Sequence, residues 1–586
     1  MNILRKPLLA MLTGVVLYST ALTAEPLKRI SSPNHYQGYS EVLYDGWQLS
    51  SRYVAVRDGT RLAVDIIRPT QQGKVVEKSH PVVWMHTPYN RRMKGGKSAA
   101  ETYPSGPINL VKYGYVVAVV DFRGLYGSFG KNRLFNFGNF VEPAWNDAYD
   151  ITEWLADQSW SSGDIGMWGC SATGGSQQQA AITMPPALKA IFPLSPNFDA
   201  YEFINYGGVS TQVPYQTKSM ADMDKEASAV DGPQAATLLA KAQAEHIDDP
   251  INQRVGMPFR DSPSAELGDN WWQRTSMYTY IDKIKESGIG VYSGANWDES
   301  LTKAGPLLMF GNVPEAQGKL IIGPQEHCRW STIAEQNDFS LETEQLRFYD
   351  YWLKGIDNGL MDEPAVTYYT YNAPEGEQWR QSETWPLSNE RPTRYYFSAD
   401  SLTPTPQAKA KALTIAMGEP AKVNPVQITP QQKGLQFDTA PLTQDLEITG
   451  YPVIDLWITS DQPDTDVVAQ LLDVAPDGST RTYQMVGRLR ASHRVQAEAP
   501  YNNFGLPYHS HLQQDIAPIP ADTPVRLEFA MLPMSYNFPA GHKIRLAVSF
   551  SNPDGEPGEI TVLSGDQYAS SILLPVIPVT TSGGLH

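Results

Sequence analysis

The chain has 586 residues, 41% of them hydrophobic and 11% aromatic, so it can bury a large core and is not of the disordered class. Its formal charge of −17, with no basic run of five or more residues, excludes nucleic acid or an anionic membrane as the main partner. At this length about three or four domains are expected.

Residues 1–24 place Arg5 and Lys6 before an apolar stretch from Leu8 to Leu22, with small residues around Ala21 and Ala24. This is the pattern of a secretory signal peptide cut after Ala24. A transmembrane anchor is the other reading, but the stretch is short and holds Thr13, Gly14, Ser19 and Thr20. Cleavage would leave 44 basic and 63 acidic residues, a mature charge of −19. A periplasmic or secreted protein with no stable membrane insertion is expected.

Residues 53–68 alternate on both sides of Asp58-Gly59 and predict a hairpin. Short buried strands are expected at 81–85 and 115–120, and a helix over 142–158 with Ala148, Ile151, Trp154 and Leu155 at helical spacing. Next comes Gly169-Cys170-Ser171-Ala172-Thr173-Gly174, an apolar run stopped by glycine and followed by helix-compatible residues. That is the layout of a nucleophile elbow, whose glycines leave room for a strained turn and whose helix N-terminus faces a developing oxyanion. A Gly/Ser-rich turn of any α/β protein is the plainer alternative. A strand at 188–193 follows, so strands alternate with helices and a parallel sheet is expected.

From 201 to 287 strand signals nearly vanish, and a helical cap over the sheet's active edge is expected. Strand character returns at 288–293 and 319–323, a helix at 342–354, and 363–390 reads as a bridge. Beyond about residue 391 the chain is all-β, with alternating segments at 453–459, 467–474, 525–532 and 543–549 that suggest a jelly roll. The Pro/Gln-rich stretch 403–433 reads as irregular. The fold class is therefore α/β: a hydrolase-type core over 25–200 and 288–390, a cap over 201–287, and a jelly-roll domain over 391–586.

A serine nucleophile needs a base and an orienting acid, in the chain order Ser, Asp, His for such a core. His327 directly follows the strand at 319–323 and Asp298 follows the one at 288–293, whereas His246, His493, His509, His511 and His542 suit packing or solvent better. There is no His-x-x-x-His or Cys-x-x-Cys pair, so no metal or other cofactor is implied.

At this point the chain resembles the cocaine esterase, α-amino acid ester hydrolase and X-Pro dipeptidyl-peptidase group of serine hydrolases. The matching residues are Arg57-Asp58-Gly59-Thr60-Arg61-Leu62, Thr87-Pro88-Tyr89, Asp121-Phe122-Arg123-Gly124 and the elbow. They continue through Trp297-Asp298, Gly323-Pro324 with His327, Pro463-Asp464-Thr465-Asp466 and Pro539-Ala540-Gly541-His542. The resemblance implies the same three-part architecture, with Ser171 as nucleophile, His327 as base and Asp298 as its acid. It also implies an oxyanion hole made by the Tyr89 hydroxyl and the Ala172 N–H, where residues alone suggest a packed aromatic at 89. By the same pattern Asp121 and Arg123 form a buried structural pair.

The two cysteines flank this set: Cys170 precedes the serine and Cys328 follows the histidine. If Ser171 and His327 meet, a Cys170–Cys328 disulfide is within reach, and the arrangement is similar to that of tannase and feruloyl esterase enzymes. Two buried free thiols are the alternative. A small-molecule ester or amide is the expected substrate, with a homo-oligomer left open. Two and three places after Asp298 stand Ser300 and Leu301, not the carboxylates with which α-amino acid ester hydrolases hold an ammonium; only Glu299, Asp199 or Glu202 remain for that task. The cap aromatics Trp271, Trp272, Tyr278 and Tyr280 suggest an apolar or aromatic acyl group. An X-Pro dipeptidyl-peptidase or amidase of the same group and a non-catalytic polymer-binding protein are the competing readings.

Overall fold

A computed structural model describes residues 29–578, except 94–95, 104–105, 211–217, 252–255, 410, 420–433 and 566. The expected leader, residues 1–24, lies outside the described residues.

Strands between residues 46 and 382 build an 11-stranded sheet. Its main strands are β1 (Gly46–Ala55), β2 (Arg61–Gln71), β3 (His80–Thr87), β4 (Val116–Asp121), β5 (Ser161–Cys170) and β6 (Leu188–Leu194). They continue with β7 (Gly290–Asp298), β8 (Gly318–Glu326), β9 (Val366–Tyr369) and β10 (Trp379–Ser382). The spatial order is β10-β9-β8-β7-β6-β5-β3-β4-β2-β1. From β4 to β9 all pairings are parallel, and the edges close with antiparallel partners. The central strands are apolar on both faces because both are covered: Val82, Trp84, Val116 and Met167 belong to one buried cluster, and Val83, Met85, Val117 and Trp168 to another.

The β1–β2 hairpin turns at Asp58-Gly59, where Gly59 takes φ 85° and the Val56 N–H donates to the Thr60 carbonyl. Helix α1 (Asp147–Ala156) buries Ala148, Ile151 and Leu155 at helical spacing. Between β6 and β7 the described residues hold helices and no strand, among them α2 (Ala200–Ile204) and α3 (Ala235–Gln243). The bridge expected over 363–390 instead adds β9 and β10 to the sheet. These are four-residue strands at one end of the sheet, too short for an alternating pattern to register.

The C-terminal part, from Arg391 to Ile577, folds as a 14-stranded, largely antiparallel β system. Val453–Ser460 alternates buried and half-buried positions along its whole length, as a strand with one face in the core must. Lys411–Ala416, expected to be irregular, is a strand paired with Glu559–Ser564; residues 420–433 lie outside the described set. One apolar cluster runs from Ala295, Trp297 and Leu320 of the first sheet into Leu456, Leu527 and Leu546 of the second half.

Candidate active site

Strand β5 ends at Cys170, and helix α4 (Ala172–Ala181) starts directly after Ser171. Ser171 sits between them at φ 63°, ψ −128°, a conformation a side chain adopts only under constraint. The local sequence supplies that constraint. The Ser171 N–H donates to the Leu194 carbonyl at 2.9 Å, and Thr173 Oγ1 accepts from the Cys170 N–H at 2.9 Å while donating to the Cys170 carbonyl at 2.8 Å. A Cβ on Gly169 would lie 2.4 Å from Thr173 Oγ1, and one on Gly174 would lie 2.3 Å from the Leu194 carbonyl oxygen. The second glycine therefore stands where the helix touches β6, one place later than in the common elbow.

Tyr89 follows β3, its N–H held by Thr87 Oγ1 at 2.9 Å. Its hydroxyl lies 3.4 Å from Ser171 Oγ, and the Ala172 N–H also bears on the phenol oxygen. Burial raises the phenol above its ordinary range, against those two hydrogen bonds, so it stays protonated and remains a donor.

His327 lies just beyond β8, and its Nδ1 is 2.9 Å from Glu299 Oε2. An ionised carboxylate only accepts, so Nδ1 carries the proton and donates it. Glu299 is fully buried and takes three further donors: Ser195 Oγ at 2.7 Å, the Asn296 N–H at 2.8 Å and Thr302 Oγ1 at 2.6 Å. Burial alone would raise this carboxyl, but His327 and the hydroxyls of Thr302 and Ser195 hold it below its usual range.

The expected partner was Asp298, and the structure pairs His327 with the next residue. Asp298 makes no hydrogen bond or ion pair with His327; its charge acts on Lys303, Tyr371 and Tyr483. The physical reason is the end of β7. Its register with β8 shifts between Asn296 and Asp298, and the chain then folds back so that Glu299 reaches under the Asn296 N–H. The sequence offers Glu299 only as a holder of an ammonium, and Ser195, Asn296 and Thr302 carry no sequence signal.

Cys170 and Cys328 form a disulfide, with their Cα atoms 6.0 Å apart. It ties the residue before Ser171 to the residue after His327. Asp121 and Arg123 do not pair with each other: Asp121 takes the Arg91 guanidinium at 3.1 Å, and Arg123 holds Asp147 at 2.6 Å and Asp58 at 2.7 Å.

Ser171 and Ala172 line a pocket of about 40 Å³, closed by Phe137, Phe140, Phe203 and Met277. The cap aromatics are not in that lining. Trp271 and Trp272 are 1% exposed in the core, and Tyr280 packs against Trp145. Asp199 gives both oxygens to Arg260 Nη1, at 2.9 and 2.8 Å, and Glu202 meets His511 Nε2 at 2.9 Å.

A serine in an elbow on a covered parallel sheet, with a carboxylate-bound histidine after another strand of the same sheet, defines an α/β-hydrolase. The comparisons agree. Residues 58–329 match the X-Pro dipeptidyl-peptidase (S15) family, and residues 358–559 match the X-Pro dipeptidyl-peptidase C-terminal non-catalytic domain. The chain thus carries an S15-family domain followed by the C-terminal domain of the X-Pro dipeptidyl-peptidases. A candidate serine esterase of Mycobacterium bovis is 27% identical, over 93% of this chain and 98% of that protein. The cocaine esterase of a Rhodococcus species is 26% identical over 73% of this chain and 80% of that one. A candidate Xaa-Pro dipeptidyl-peptidase of Bacillus anthracis is 24% identical over 85% and 81%. The same fold is seen in a CocE/NonD family hydrolase from Staphylococcus aureus, at TM-score 0.69 and 20% identity over 91% of this chain and 94% of that one. It is seen again in an α-amino acid ester hydrolase, at TM-score 0.67 and 20% identity over 96% and 100%.

Proposed function

We propose that the protein hydrolyses carboxylic esters through an acyl-Ser171 intermediate. The observation that carries this is the buried Glu299 holding the His327 Nδ1 proton, which leaves Nε2 to take the proton of Ser171 Oγ. In this reading Glu299 replaces Asp298 as orienting acid. Ser171 attacks the ester carbonyl, and the negative charge that forms on its oxygen is met by the Tyr89 hydroxyl and the Ala172 N–H. His327 then passes its proton to the departing alcohol, and water repeats the sequence to release the acid.

The size of the pocket at Ser171 favours short acyl groups. A cavity known to accept benzene measures about 150 Å³, well above the 40 Å³ here. Ester over X-Pro amide cleavage is supported because the carboxylates that could have held a peptide's ammonium are already engaged, Asp199 and Glu202 by Arg260 and Glu299 by the His327 Nδ1–H. Export to the periplasm or beyond is part of the proposal, supported by the leader-like N-terminus and by the disulfide.

Acid-quenched mass spectrometry during turnover of p-nitrophenyl acetate tests this. The acetyl group is expected on the peptide holding Ser171, with acetyl and propionyl esters outpacing benzoyl esters and Ala-Pro-anilide. Turnover without acyl on Ser171, or a preference for the anilide, would overturn it. Polysaccharide retention by a protein that hydrolyses nothing would favour the binding-protein reading.

A further inference from the structure

A second cavity, of about 160 Å³, adjoins the pocket at Ser171 and shares Asn197 and Phe203 with it. Its wall is mostly apolar and aromatic, with Leu308, Tyr451 and Tyr501 among the lining residues. One group breaks the pattern. Arg488, in the strand Val486–Arg490, lines this cavity at 1% exposure, and none of its three guanidinium nitrogens has a hydrogen-bond partner. Its guanidinium lies 5.1 Å from the centroid of the Tyr206 ring, a contact that offers no acceptor atom.

A cation buried without an acceptor is strongly destabilising, so a bare guanidinium needs a reason. Burial lowers Arg488 to about 10, which still leaves it charged at neutral pH. The acids nearby are already engaged. Asp199 is bonded to Arg260, Glu202 to His511 and Arg260, and Asp466 to Arg490 at 2.7 Å. His509 is neutral, since burial lowers it to about 4. What remains is one uncompensated planar fork of N–H donors among rings, the geometry that receives a carboxylate.

We infer that this cavity binds a small aromatic or apolar carboxylic acid, its carboxylate on Arg488 and its hydrocarbon among Leu308, Tyr451 and Tyr501. The volume suits one ring, since a void of about 150 Å³ accepts benzene. Ser171 is not in this lining, so the site is separate from the acyl pocket, and the shared Asn197 and Phe203 give it a route to that pocket.

The test is calorimetric titration of a Ser171→Ala protein, so that binding is read without turnover. Phenylacetate is the probe and phenylacetamide its uncharged counterpart. Saturable phenylacetate binding with a Kd near or below about 1 mM is expected, at least tenfold tighter than the amide. Arg488→Met should remove that preference while leaving the melting temperature equal or higher, because an unpaired buried cation is lost. Leu308→Trp, which fills the cavity and keeps Arg488, should abolish binding of both probes. Absence of saturable binding, equal affinity for acid and amide, or undiminished phenylacetate binding in Arg488→Met would overturn the inference.

Discussion

In the proposed reaction Tyr89 adds a donor to the one the elbow offers. The Ala172 N–H at the start of α4 and the Tyr89 phenol, which follows β3 and lies 3.4 Å from Ser171 Oγ, would share the charge of the oxyanion. Tyr89→Phe keeps the ring and removes only this donor. We expect kcat to fall by about 10²–10³ with KM little changed, because the bond strengthens only as charge develops; an unchanged kcat in steady-state ester assays would remove Tyr89 from the chemistry. Lys303 makes a different statement at the same scale. It is fully buried, donates to the Trp297 and Gln484 carbonyls, and is lowered by burial to about 7 despite the charges of Asp298 and Glu299. Unfolded, a lysine titrates near 10.4, so between about pH 7 and 10 the unfolded chain holds more protons and this group makes stability rise with pH. The slope approaches about 1.4 kcal/mol per pH unit. Lys303→Met should flatten it, as read by urea unfolding near pH 7.5 and 9; an identical slope would contradict the assignment.

Among the elements, the staple and the elbow helix do the positioning. The Cys170–Cys328 bond closes a loop with a sequence separation of 158, which the chain-entropy model equates with about 5 kcal/mol. Replacing both cysteines by alanine should lower unfolding free energy by a substantial part of that. It should also lower kcat/KM, since His327 loses its tie to the serine turn; full activity in the double variant would make the bond purely structural. The elbow was legible from sequence because its glycines answer to hard contacts: a Cβ at 169 strikes Thr173 and one at 174 strikes Leu194. The hairpin at Gly59 and the buried strands β3 to β6 were legible for the same kind of reason, a period or a turn residue that only one geometry satisfies. Strands β9 and β10 were not, because four residues carry too little pattern. Glu299 was not legible either. Its position depends on a register shift at the end of β7 and a return under Asn296, and no residue spacing announces a bulge of that kind.

Across the whole molecule, the parallel sheet gathers residues that lie far apart in the chain. Ser171 follows β5, Glu299 follows β7 and His327 follows β8, so each is carried to the same edge by strands that run the same way. The C-terminal β system contributes by packing. Its apolar core is continuous with Ala295, Trp297 and Leu320 of β7 and β8, the strands that lead to Glu299 and His327. Such a frame makes the identity of the acid a sharp question. The most direct measurement is the rate at which a fluorophosphonate labels Ser171 in wild type, Glu299→Gln and Asp298→Asn, each mapped to its peptide without reduction. An asparagine in place of the acid of a serine-protease triad costs about 10⁴ in kcat, so labelling of Glu299→Gln should slow by about 10²–10⁴ while Asp298→Asn stays within about tenfold of wild type. Slow labelling of Asp298→Asn with fast labelling of Glu299→Gln, or label at a residue other than Ser171, would contradict the account.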